Sequence, residues 1–140
     1  MADPQPPVNA EVEALRQAYA ALNRGELAGW FAHFADDVVC IEPEGFPMSG
    51  TYRGLPAVTA HMEQARSTWA EGACESERFI VAGDKVVVFV HVHVRLKGET
   101  EWREGDLADV YTFRAGKAIE MRIFADRQQA LDWSGWEAAS

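Results

Sequence analysis

The sequence predicts an α+β domain in which three helices of the N-terminal half pack on one face of a curved, mostly antiparallel sheet. Two observations carry this. Helical spacing of apolar residues is confined to the first half of the chain, and the second half holds four strand-like runs in series, 74 to 82, 85 to 96, 101 to 114 and 117 to 126. Gly83-Asp84, Lys97-Gly98 and Ala115-Gly116-Lys117 supply the turns, so consecutive strands should pair as antiparallel neighbours. Helices followed by a meander place the helices on one face of the sheet.

In chain order, residues 1–9 contain three prolines and little to bury, which predicts a flexible lead-in to a single domain over 10–136. The first helix should start near Asn9 as N-cap, with Val12, Leu15, Tyr19 and Leu22 on one stripe and Gly25 as its end. Leu27, Trp30, Phe31 and Phe34 repeat that spacing in a short second helix. Asp36-Asp37 reads as the turn into a strand that puts Val38, Cys40 and Glu42 on one face and Val39 and Ile41 on the other. The Gly- and Pro-rich run FPMSGTYRGLPAV suits a short strand or loop before a third helix, which carries Pro56 in its first turn and Val58, His61, Met62, Ala65 and Trp69 on one stripe.

At 140 residues and 48% hydrophobic content the chain suffices for one core. No apolar run reaches 18 residues and the N-terminal segment lacks signal-peptide blocks, so the expected location is the cytoplasm, with no membrane partner. A net charge of -9, from 22 acidic and 13 basic residues, repels phosphate backbones and excludes nucleic acid as a partner class. Cys40 and Cys74 have neither the number nor the spacing of a disulfide framework or a zinc site, and read as small buried thiols.

Two stretches, AYAALNRGELAGWFAHFADDVVCIEPEG and LADVYTFRAGKAIEMRIFAD, resemble the nuclear transport factor 2-like superfamily in its ketosteroid isomerase and SnoaL-like polyketide cyclase branches. The shared features are a helix ending in Leu-Asn-x-Gly-Asp/Glu-Leu, a Phe-Ala-Asp-Asp turn, a strand ending in carboxylate-Pro, and paired last strands around a Gly-Lys turn. The resemblance implies a cone with a deep apolar pocket between sheet and helices. It leaves the activity open, because the scaffold hosts isomerases, cyclases, hydrolases, dehydratases and binding proteins.

In the isomerase branch the residue before that proline is the proton-transfer base, which the resemblance carries to Glu42. A second carboxyl, kept protonated to hydrogen-bond a developing oxyanion, corresponds to Asp109. Strand alternation places Asp109 on one face with Leu107, Tyr111 and Phe113, where a carboxyl should be desolvated and hold its proton to higher pH. The alternatives are an exposed or Arg-paired Asp109 and a solvated loop Glu42. The family's oxyanion-binding tyrosine falls at Ala18; Tyr19 lies one residue on, a rotation of about 100° on a helix. Tyr111 or His61 would then assist the acid pair. Tyr19, Trp30, Phe34, Met62, Trp69, Val90, Val92 and Met121 are the expected ligand-contacting walls, suited to an apolar small molecule.

His91 and His93 have a spacing that metal sites use, but seven residues separate Gly83 from His91, five separate His93 from Glu99, and no second histidine motif follows. Val88, Val90, Val92 and Val94 form the apolar, pocket-side face of this strand, which sends Phe89, His91, His93 and Arg95 to the outside. In the resembled superfamily that outer face packs on a second subunit, so a homodimer contact is expected there. The expected function is acid-base chemistry, without metal or cofactor, on an apolar carbonyl-bearing or cyclic substrate. The rival is a non-catalytic binding or dimerisation module of the same fold.

Overall fold

The structure is a computed structural model that describes residues 7–46 and 48–136. The elements run α1 (Pro7–Arg24), α2 (Leu27–Phe31), β1 (Phe34–Glu42), β2 (Gly50–Arg53), α3 (Leu55–Ser67), β3 (Trp69–Ala82), β4 (Lys85–Leu96), β5 (Arg103–Arg114), β6 (Lys117–Phe124) and α4 (Arg127–Ser134). The strands form one open, curved sheet in the order β2-β1-β6-β5-β4-β3. Pairings are antiparallel except that of β1 with β6, which is parallel.

Alternation along the strands divides the buried side chains between two faces. Val86, Val88 and Val90 of β4, Tyr111 and Phe113 of β5, and Val38 and Cys40 of β1 meet Leu15, Tyr19 and Leu22 of α1, Trp30 of α2 and Val58 of α3 in the main core. Each fully buried Val or Leu contributes about 1.5–3 kcal/mol, so this face holds the helices to the sheet. Val87, Ala108 and Val110 point the other way, onto Ala130 of α4.

Local chemistry fixes how the helices sit. Asn23, in the last turn of α1, donates from Nδ2 to the Cys74 carbonyl (3.0 Å) and accepts from the Cys74 N–H (2.8 Å), tying α1 to the edge strand β3. Gly25 then takes φ +79, a left-handed value that glycine adopts without strain. On β3, Gly72 sits at φ +127 beside a bulge, where a Cβ would fall 2.2 Å from the His93 carbonyl oxygen. Only glycine permits this approach, and the bulge bends β3.

Several boundaries differ from the sequence reading. Helix α1 begins at Pro7, since proline is tolerated in a first helical turn; the rest of the expected lead-in, residues 1–6, lies outside the described residues, as does Pro47. Asp36 and Asp37 lie within β1, beside a register shift between Phe34 and Val39, so the expected turn is a strand irregularity. Helix α3 stops at Ser67, and Trp69 opens β3 instead of ending the helical stripe. A fourth helix, α4, covers part of the outer sheet face; its N-cap Asp126 accepts from the Gln129 N–H at 3.0 Å. No described helix is long and apolar enough to cross a membrane.

Candidate active site

Between the main sheet face and α1 to α3 lies a cavity of about 160 Å³, comparable with apolar cavities of about 150 Å³ that take up benzene. Its lining is mostly aliphatic and aromatic, and two carboxylates reach it, Glu42 from the end of β1 and Asp109 from β5. In the sheet, Ile41 pairs with Arg122 and Asp109 with Ile123, so Glu42, Ile123 and Asp109 form one row across three strands. Two strand spacings put the acid-bearing backbones roughly 10 Å apart. Ile123, between them, is itself part of the lining.

Asp109 is 5% exposed. Burial raises its carboxyl to about 7; the Tyr19 hydrogen bond pulls it down and the nearby Glu42 charge pushes it further up. The Tyr19 hydroxyl donates to Asp109 Oδ2. Because that proton is committed, the Tyr111 hydroxyl, 2.8 Å from the Tyr19 oxygen, serves as the donor to Tyr19. The result is a buried chain from Tyr111 through Tyr19 to Asp109. It leaves Asp109 Oδ1 without a protein partner among the described residues.

Glu42 is built differently. Its side chain is 14% exposed, and Oε2 contacts Nε2 of His61, whose side chain is 1% exposed. The His61 ring stacks on Tyr52 (centroids 3.8 Å apart, planes at 15°), and the Tyr52 hydroxyl donates to the Met48 carbonyl at 2.9 Å. Nδ1 of His61 is buried with no partner among the described residues. With no acceptor facing Nδ1, Nε2 is the ring nitrogen that donates to Glu42. Burial raises the Glu42 carboxyl above its ordinary value, and the charge and hydrogen bond of His61 oppose that rise. Oε1 is left without a protein partner among the described residues.

Of the predicted walls, Tyr19, Trp30, Met62, Trp69, Val90, Val92 and Met121 line the cavity. Phe34 does not: it packs edge-on behind Trp30, with centroids 5.9 Å apart. His61 and Tyr111 also stand outside the lining, one behind Glu42 and the other behind Tyr19. The expected displacement of Tyr19 is corrected as well. The buried face of α1 is broad enough to include both Ala18 and Tyr19, and the long tyrosine reaches Asp109 from there.

Besides the aliphatic positions Leu22, Ala65, Leu107 and Ile123, the sequence reading missed Arg66, Phe46 and Cys74 as lining residues. Arg66 follows Met62 by four positions, a spacing that places both on one side of α3. Burial pushes the Cys74 thiol up to about 12 and raises Cys40 too, which keeps both as thiols at neutral pH. His91 and His93 lie on the other sheet face. His91 bonds Asp106 (2.7 Å) and Glu104 (3.1 Å), and His93 meets Trp102 edge-on at 4.4 Å.

An open, curved sheet with helices packed on one face is the cone of the nuclear transport factor 2-like class of α+β domains. The chain belongs to the SnoaL-like domain family, whose sequence model matches residues 15–121. Solved structures share the fold. A nuclear transport factor 2-like protein from Burkholderia xenovorans LB400 is 29% identical, with a TM-score of 0.70 over 90% of this chain and 95% of its own. A second, of unknown function, from Burkholderia pseudomallei K96243 is 24% identical, with a TM-score of 0.74 over 87% and 95%. A protein from Jannaschia sp. CCS1, provisionally described as a SnoaL-like polyketide cyclase, is 17% identical, with a TM-score of 0.75 over 99% and 100%. No curated protein matches the chain.

Proposed function

We propose that the protein is an acid-base enzyme acting on an apolar, carbonyl-bearing or cyclic small molecule, in an isomerisation, cyclisation or related step. The observation that carries this reading is a pair of carboxyl groups, both raised by burial, reaching one apolar cavity from different strands. Ionised Glu42 removes a proton from the carbon next to the substrate carbonyl through Oε1. The electron pair moves onto the carbonyl oxygen, which accepts a hydrogen bond from protonated Asp109. Return of the proton to the same or another carbon completes the step. His61 and Tyr111 act as positioning residues, through Glu42 and Tyr19.

The test uses 2-indanone in D2O, with loss of its α-proton signal followed by NMR and binding followed through the indole signals of Trp30 and Trp69. The expected result is accelerated exchange that falls by about two to four orders of magnitude in Glu42→Gln. Binding of 2-indanone without exchange would leave the non-catalytic binding module as the reading. A homodimer through the outer face of Phe89, His91, His93 and Arg95 belongs to the same proposal, narrowed to the part around His91, His93 and Trp102 because Phe89 packs with α4 and under Arg127, and supported by the 45% exposure of Trp102. Its check is sedimentation equilibrium of the wild type and His93→Asp, with a monomeric wild type as the refuting outcome.

A further inference from the structure

Among the described residues that line the cavity, Arg66 is the one cation. Its surroundings differ from those of the other arginines. Seven of the ten pair with a carboxylate within 4.0 Å among the described residues. Arg53 and Arg78 do not, and both are exposed. Arg66 is half-buried and has no carboxylate partner among the described residues, in a chain with a large excess of acids.

Its position is nevertheless fixed. Nε donates to the Leu22 carbonyl (2.9 Å) and Nη2 to the Asn23 carbonyl (3.2 Å), both in the last turn of α1, and the guanidinium lies 4.5 Å over the Trp69 ring. Those contacts use two of the five N–H groups and cap a helix. They supply partial charges but no formal counter-charge. Nor do the cavity acids supply one: Glu42 is engaged by His61, and Asp109 is held neutral up to about 7. Arg66, Cys74 and Asp109 all line the one cavity.

We propose that Arg66 is the anion-binding residue of the cavity, and that the ligand is an apolar ring system bearing a carboxylate, which the open edge of the guanidinium holds. A planar fork fixed by two carbonyls and an aromatic face suits a carboxylate, because its remaining N–H groups are preorganised for paired hydrogen bonds. The assignment deepens the reading above and rests on the cavity being its site: the anion is anchored at Arg66 while the reacting carbon lies between Glu42 and Asp109.

The probe pair is cinnamate and its neutral counterpart cinnamamide, titrated calorimetrically into the full chain at pH 6, where the acid probe is ionised and Asp109 still holds its proton. The wild type should bind cinnamate at least 10-fold more tightly than cinnamamide. Arg66→Gln should bring the two probes to equal affinity, and Arg66→Lys should keep part of the preference. Equal binding of the two probes by the wild type, or a preference that survives in Arg66→Gln, overturns the assignment. Should Arg66→Gln fail to fold for want of the α1 cap, the wild-type comparison and Arg66→Lys still decide, with an undiminished preference in the lysine variant counting against the fork. The readout involves no turnover, so it stands or falls separately from the 2-indanone exchange test.

Discussion

The Tyr19 hydroxyl donates to the Asp109 carboxyl, joining α1 to β5 across 90 positions of sequence, and Tyr111 supports it from behind. This bond is the one contact that lowers the Asp109 carboxyl against the effect of burial. Tyr19→Phe should therefore move the Asp109 titration above about 7. Selective ¹³C labelling of aspartate carboxyls, followed by NMR against pH, measures it; an unchanged or lower value would refute the role given to Tyr19.

Asp109 also sets a pH dependence of stability. Its folded value of about 7 lies above its ordinary 3.8, so across that window the native state keeps a proton that the unfolded chain has lost. Stability must decline as pH rises through the window, by up to about 4 kcal/mol for three units. Asp109→Asn removes the penalty. In urea unfolding it should exceed the wild type by a few kcal/mol at pH 8.5 and approach it near pH 4.

Glu42, like Asp109, has a neighbour that opposes the effect of burial. His61 lowers its carboxyl, by charge and by hydrogen bond, against the larger effect of burial. In His61→Leu the Glu42 carboxyl should titrate higher than in the wild type, and the acid limb of the 2-indanone exchange profile should shift to higher pH with it. A profile that merely dropped in amplitude would assign His61 a structural role alone.

The β5–β6 hairpin offers a test outside the cavity. Arg114 pairs with Lys117 across the two-residue loop Ala115-Gly116, at φ 53 and 81. Such a turn needs left-handed backbone at both positions, which costs an alanine about 1–2 kcal/mol. Ala115→Asn should stabilise the protein by up to about 1 kcal/mol, read as a Tm increase of a few degrees by calorimetry.

How far the residues announced this molecule depends on whether their information was local. Strand alternation put Asp109 and Tyr111 on the inward face, and the hairpin turns at 83–84 and 115–116 were visible as glycines beside small or polar residues. Helix α4 carried its own signals, Asp126 three residues before Gln129 and Gly135 at its end. Its eight residues bring few apolar side chains, so no periodicity drew notice to it. The pairings Tyr19 with Asp109 and His61 with Glu42 depend on how helices settle on the sheet, a tertiary property that spacing within either partner does not encode. Arg66 escaped because a charged residue beside an apolar stripe reads as solvated until the cavity wall is seen.

The strand order has a bearing on how the protein comes into being. Strand β6 is synthesised after all the others yet lies between β1 and β5, with Met121 paired to both Cys40 and Tyr111. A nascent chain ending at Gly116 therefore holds two separate half-sheets, one with Glu42 and the other with Asp109. Contacts between positions so distant in sequence form slowly, and until they do each half presents an unpaired strand border. The two acids become neighbours only when those last eight residues slot between them.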